Sequence, residues 1–274
     1  MSRLFRDLRF KICGGFIALI VITAIFAPFL APMRPEQMNA SSRLQAPGSP
    51  FALGTDEFGR DILSRLMYGA RLSLLVSVAS VTIATVIGSL LGLVAGFHGG
   101  LVELGLMRVV DAILSFPSML LALLVVTFIG PELQNVILTI GVLYIPRFAR
   151  VMHGATLTTR ENAYVEAAEA LGTSSWRIMF RTILPNVMAP IMVQVSLSMG
   201  NAMLLESSLS FLGMGPPPPA TAWGRMISES APFMRLSAYG VIWPALAISL
   251  TILAFNILGD SLRDALDPRL KGVQ

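Results

Sequence analysis

From Leu72 to Val102 the chain carries no formally charged side chain. No other feature constrains its fold as strongly. About 20 apolar residues in a helix cross a hydrocarbon core of about 30 Å, at about 1.5 Å per residue, so this run is long enough to span a bilayer. Charge-free runs recur from Ile12 to Met33, Ala112 to Pro131, Leu133 to Pro146, Thr182 to Leu205 and Leu236 to Gly259. The 274 residues are 54% hydrophobic and 13% charged, whereas soluble domains average about 25% charged. The fold expected is an all-α membrane protein, a single transmembrane domain over 1–274. Its six transmembrane helices are placed at about 12–33, 72–98, 112–131, 133–152, 185–212 and 236–259, with an outer loop over 34–71 and a polar loop over 153–185.

The net charge of +4 would point to nucleic acid in a soluble protein. Here the bases are scattered between apolar runs, so they orient the chain in the membrane and imply no nucleic-acid partner. Arg3, Arg6, Arg9 and Lys11 precede the first run, which exceeds the 7–15 residues or so of a signal-peptide core. That run is read as an uncleaved first span with a cytoplasmic N-terminus, and six spans return the C-terminus to the same side. Arg147 and Arg150 follow the fourth run closely and can snorkel to the headgroups. One cysteine, Cys13, excludes an intramolecular disulfide, and two histidines, His98 and His153, make no dedicated metal cage.

The stretch 153–185 contains a polar, two-sided helical hairpin that must meet something outside the lipid. Tyr164, Ala167, Ala168 and Leu171 recur at i, i+3, i+4 and i+7, with Glu166 and Glu169 on the other face. Gly172 can take a positive φ and end that helix. Thr173 or Ser174 can cap a second one, whose stripe is Trp176, Met179, Phe180 and Ile183, with Arg177 and Arg181 opposite. An amphipathic hairpin lying on anionic lipid is disfavoured by the two glutamates.

Elsewhere, Asp61 and Arg65 stand one turn apart and can pair, on a short helix whose apolar side is Ile62, Leu66 and Met67. Gly88, Gly92 and Gly96 leave one face of the second span without bulk, so another helix can approach closely. Gln194, Ser198, Asn201 and Ser208 fall near one face of the fifth span, a polar stripe that either lines a path or bonds to neighbouring helices. Glu206 lies roughly 120° from that stripe at about 100° per residue and can anchor the outer end of the helix.

Four blocks occur in an order that resembles the permease subunits of bacterial ABC importers of the dipeptide, oligopeptide and nickel branch. They are Leu53-Gly54-Thr55-Asp56 with Gly59-Arg60-Asp61, then Glu166-Ala167-Ala168 with Gly172 and Leu184-Pro185. Ser207-Ser208-Leu209-Ser210-Phe211-Leu212-Gly213 after Glu206 and Leu266-Asp267-Pro268 complete them. Thr182 stands where the family usually has isoleucine, and Met214 is a conservative departure. The resemblance implies that Glu166, Ala167, Ala168, Gly172 and Arg177 form a cytoplasmic coupling loop docking on a separate ATPase. It further implies that Asp56, Gly59, Arg60 and Asp61 lie on the outer face, and that a second homologous permease, two ATPase subunits and an extracytoplasmic solute-binding protein are partners in the inner membrane. The solutes implied are a dipeptide, oligopeptide, glutathione or nickel complex.

With Lys11 and Lys271 its only lysines, the chain contains no Gly-x-x-x-x-Gly-Lys-Ser/Thr phosphate loop. ATP and magnesium therefore belong on partner subunits, and this chain is read as no enzyme and binding no cofactor. The rival reading is an ATP-independent secondary transporter or channel, which usually carries ionisable residues within its spans. Only Glu206 qualifies here. A serine and histidine hydrolase is disfavoured because His153 lies beside the polar loop, remote from the serine-rich end of the fifth span, and retention of function in His153→Ala would dismiss it.

Overall fold

The computed structural model describes residues 7–266, which form twelve α-helices and no β-strand. Arg3, Arg6, Asp267 and Pro268 lie outside the described residues. Helix α1, Leu8–Ile25, starts under the Asp7 carboxylate, which accepts the Arg9 N–H, and stops at Phe26. Pro28 lacks the N–H needed to continue it, and the short α2, Ala27–Leu30, follows at once.

Helix α3, Ile62–His98, has 37 residues, about 55 Å of helix. The short polar helix expected over the end of the 34–71 loop is thus the first part of the second apolar helix. Asp61 caps it through the Ser64 N–H, and Gly99 at φ 68° ends it. The face of Gly88, Gly92 and Gly96 is pressed against α6, Leu133–Arg160. A Cβ on Gly88 would lie 2.5 Å from the Ile145 carbonyl oxygen, and one on Gly92 would lie 2.3 Å from that of Ala149.

Between α3 and α6 lie α4, Gly100–Leu114, and α5, Ser118–Ile129, meeting at an 88° bend. The span expected over 112–131 thus takes in the end of α4, the bend and the whole of α5. The charged stretch before it is helical, and its acids reach α6: Asp111 bonds Arg150, and Glu103 Oε1 lies 2.8 Å from His153 Nε2. Pro117 interrupts the helix where α5 begins. With 12 residues, α5 is about 18 Å long, too short to cross alone. Helices α1, α3, α6, α10 (Met188–Phe211) and α12 (Tyr239–Leu266) are each long and apolar enough to cross, and the bent pair makes six if counted as one.

The hairpin consists of α7, Ala163–Ala170, and α8, Ser175–Arg177. The latter runs into a π-helical stretch, Ile178–Ile183, and α9, Leu184–Asn186. Trp223–Ser230 forms α11, between α10 and α12. Two apolar cores result. One joins α3, α5, α6 and α10 to the underside of the hairpin through Val165, Ile178, Met179 and Ile183. The other gathers α1, α3, α10, α11 and α12 around Trp223 and Met226.

Candidate functional site

The hairpin is held by local chemistry at its turn and by burial of one face. At the end of α7 the Gly172 N–H donates to the Glu169 carbonyl and the Thr173 N–H to that of Ala168. This is the reciprocal pair of a Schellman cap, and the φ of 72° at Gly172 is the left-handed residue it requires. Ser174 occupies the cap position of α8, without a side-chain hydrogen bond.

The buried faces differ from those the periodicity indicated. Val165 is buried and Ala168 partly so, while Tyr164 is 47% and Leu171 85% exposed. In the second arm Met179 and Ile183 are buried as expected, but Ile178 joins them and Trp176 is 68% exposed. The cause is the π-helical stretch, whose wider i→i+5 turn re-phases the side chains. Glu166, Ala167, Glu169, Ala170 and Arg177 are exposed like Tyr164, Leu171 and Trp176. The hairpin therefore exposes three large apolar side chains and side chains of both signs of charge.

At the other end of α3, the loop before it is clasped to α11 by a partly buried ionic cluster. Asp56 Oδ1 accepts the N–H groups of Phe58 and Arg60 at 2.9 Å each, and its Oδ2 takes Arg60 Nε at 2.6 Å. Arg65 bonds Asp56 through Nη1 and reaches Glu229 Oε2 through Nη2 at 2.8 Å. Arg60 Nη2 also reaches Glu229 Oε2 at 2.9 Å, and Arg225 Nε holds Glu229 Oε1 at 3.0 Å. Arg65 does not pair with Asp61, as its spacing suggested. Asp61 Oδ2 is used by the Ser64 N–H and Oγ at 2.9 and 2.6 Å, which leaves Arg65 for partners distant in sequence. Gly59 is required where the loop crosses itself: its φ is 73° and a Cβ would lie 1.9 Å from the Asn39 carbonyl oxygen.

Burial pushes the Glu57 carboxyl above the usual carboxylate range. Burial acts the same way on Glu229, but the hydrogen bond and charge of Arg65, with Arg225 and Arg60, outweigh it and bring Glu229 below that range. Glu57, Arg225 and Glu229 were not singled out from sequence. The spacing of Arg225 and Glu229 at i, i+4 was the only local signal, and it says nothing of Arg65.

The polar stripe of α10 separates into parts. Gln194 Nε2 donates to Ser198 Oγ at 3.1 Å, and Ser198 is fully buried. Asn201 is exposed. Ser208 lines a cavity of about 470 Å³ with Ser207, Phe211, Ile227 and Ser249. Glu206, off this stripe, is fully buried and anchors α10 to α3 by accepting Ser73 Oγ at 2.9 Å, while Ser210 Oγ donates at 2.7 Å.

A bundle of helices long and apolar enough to cross a membrane, carrying a hairpin rooted in its core at one end of α3 and an ion-paired cap at the other, defines a polytopic membrane protein. Residues 88–272 match the family described as "Binding-protein-dependent transport system inner membrane component", and residues 1–47 match "N-terminal TM domain of oligopeptide transport permease C". The chain belongs to the first of these families: it is a permease subunit of an ABC importer, seated in the bacterial inner membrane.

Among its relatives, the dipeptide transport system permease protein DppC of Alkalihalophilus pseudofirmus is 44% identical, over 93% of this chain and 86% of that one. The glutathione transport system permease protein GsiD of Pectobacterium atrosepticum is 42% identical, over 94% and 86%. A chain of the MetNI methionine ABC transporter in an inward-facing conformation shares the fold, with a TM-score of 0.62 at 18% identity, covering 75% of this chain and 98% of that one.

Proposed function

We propose that this subunit carries peptides, or a similarly small solute such as glutathione or a nickel complex, across the inner membrane, driven by ATP hydrolysed on two separate subunits that also hold the magnesium. The hairpin is the docking element. Glu166, Ala167, Ala168, Gly172 and Arg177 meet the ATPase in the cytoplasm, with both termini on that side. The outer loop with Asp56, Gly59, Arg60 and Asp61 faces the extracytoplasmic binding protein. A second, homologous permease completes the path, to which Gln194, Ser198, Asn201 and Ser208 contribute from α10.

The observation that carries this reading is the exposure of Tyr164, Leu171 and Trp176, as well as of Glu166 and Arg177, on a hairpin whose buried side chains are part of the main core. Large apolar groups grouped with charges at a surface are the composition of a protein contact. A push on that surface reaches α3, α6 and α10 without passing through a flexible linker, since Val165 and Ile183 pack in the same core as Phe97 and Met152. Peptide solutes are supported by the names of relatives that align over nearly the whole chain.

In the assembled importer, Glu166→Lys or Gly172→Glu should leave membrane insertion intact and uncouple uptake from ATP hydrolysis. Uptake and ATPase rates measured on the same proteoliposomes test this. Normal transport with either substitution would remove the hairpin from the coupling role.

A further inference from the structure

Arg34 is the first charged residue after the run Ile12–Met33, and Arg71 is the last before the run Leu72–Val102. Each therefore marks the same end of a membrane-crossing segment. The fold brings them together: both line one cleft of about 650 Å³ between the start of the 34–71 loop, α3 and the proline-rich loop after α10. The Met33 N–H donates to Ser64 Oγ at 3.1 Å, which holds the loop beside α3 just before Arg34.

The arginines nearby, Arg60, Arg65 and Arg225, are each ion-paired within the cluster of Asp56, Glu57 and Glu229. Arg34 and Arg71 differ. Both are exposed, and among the described residues neither guanidinium has an ion-pair or hydrogen-bond partner. One carboxylate, that of Glu36, also lines the cleft and leaves it net positive. Directly toward the membrane from Arg71 the wall is Leu72 and Leu75, the latter 50% exposed and one turn from Arg71. Positive charge at the water boundary over an apolar wall matches an amphiphile with an anionic head and a hydrocarbon tail.

We propose that this cleft is a binding site for an anionic glycerophospholipid. Its phosphate lies between Arg34 and Arg71, and an acyl chain runs over Leu72 and Leu75. The apolar wall is what separates this ligand from a free phosphate, which would gain nothing from it.

The test is a lipid titration of the purified, assembled importer followed by native mass spectrometry, with phosphatidylglycerol and phosphatidylcholine as probes. Arg34→Gln with Arg71→Gln removes two exposed, unpartnered groups and no internal contact. It should weaken phosphatidylglycerol binding by roughly tenfold or more, at about 1 kcal/mol per base, and weaken phosphatidylcholine binding much less, because the choline cation already offsets its phosphate. Glu36→Gln should tighten phosphatidylglycerol binding, and millimolar inorganic phosphate should not displace it. Equal phosphatidylglycerol affinity in the double variant would overturn the proposal, as would weaker binding in Glu36→Gln. Displacement by inorganic phosphate would overturn it in favour of a small-anion site, and equal affinity for the two lipids in favour of a simple apolar groove.

Discussion

A single methyl group at Gly92 tests whether the α3 and α6 contact is as close as the structure shows. The Cβ of Gly92→Ala would sit 2.3 Å from the Ala149 carbonyl oxygen, 2.8 Å from Met152 Cβ and 2.9 Å from the His153 nitrogen. Carbon to carbonyl-oxygen contacts settle at about 3.3 Å or more, so the helices must part by roughly 1 Å. Two of the three atoms are backbone and the third is a Cβ, hence no rotamer change relieves the clash. A gap of about 0.5–1 Å forfeits a quarter to a half of each contact well, and overpacking of this kind costs about 1–3 kcal/mol. Alanine recovers up to about 1 kcal/mol of helix propensity over glycine, which leaves a net loss of about 0–2 kcal/mol against the native protein and the full loss of about 1–3 kcal/mol against a variant that gains the propensity without the clash.

Gly105 in α4 has nothing within 4 Å of its Cβ position, so Gly105→Ala isolates the propensity gain and should be neutral or stabilising by up to about 1 kcal/mol. Thermal inactivation of the assembled importer, measured for both variants in one lipid composition, gives the comparison. If Gly92→Ala proves as stable as Gly105→Ala, the helices do not touch at that glycine and the close-packing argument is wrong.

Arg65→Leu removes one charged partner each from Asp56 and Glu229, at a side chain that is 3% exposed, while Arg60 and Arg225 remain bound to them, and should lower thermal stability by about 1.5–3 kcal/mol. Arg60→Leu, at a more exposed side chain of the same cluster, should cost less, and the reverse order would contradict the arrangement. The Glu57 carboxyl is raised from 4.5, so its folded form holds a proton more tightly than its unfolded form. Its contribution is full below about 4.5 and is lost as pH rises through the folded value, so Glu57→Gln should match the native protein in acid and exceed it at neutral pH. Glu229 is lowered from 4.5 and contributes in the opposite sense, so Glu229→Gln should be most damaging near neutrality and converge with the native protein in acid; thermal midpoints across pH check both. At Gly172, where φ is 72° with open space around the Cβ position, Gly172→Ala should destabilise the hairpin by about 1–2 kcal/mol, and Gly172→Asn by less. Equal protease sensitivity of the loop in all three proteins would refute the left-handed cap.

What was legible in the sequence was whatever depends on local composition and short spacing. Charge-free runs announce membrane helices because lipid offers the backbone no partner, and the glycine spacing in α3 announces a close neighbour. Gly172 announces the end of α7 because only a residue without Cβ enters the left-handed region freely. Only the tertiary structure decided which helix meets those glycines, and that Arg65 turns from Asp61 to Asp56 and to Glu229 on α11. It likewise decided that Trp176 faces outward while Ile178 is buried, since one widened turn re-phases a stripe that periodicity alone would have kept. The physical reason is the same in each case. Helix formation and termination are settled by bonds within a turn or two of the chain, whereas a charge or an apolar face chooses its partner among everything the fold brings near it.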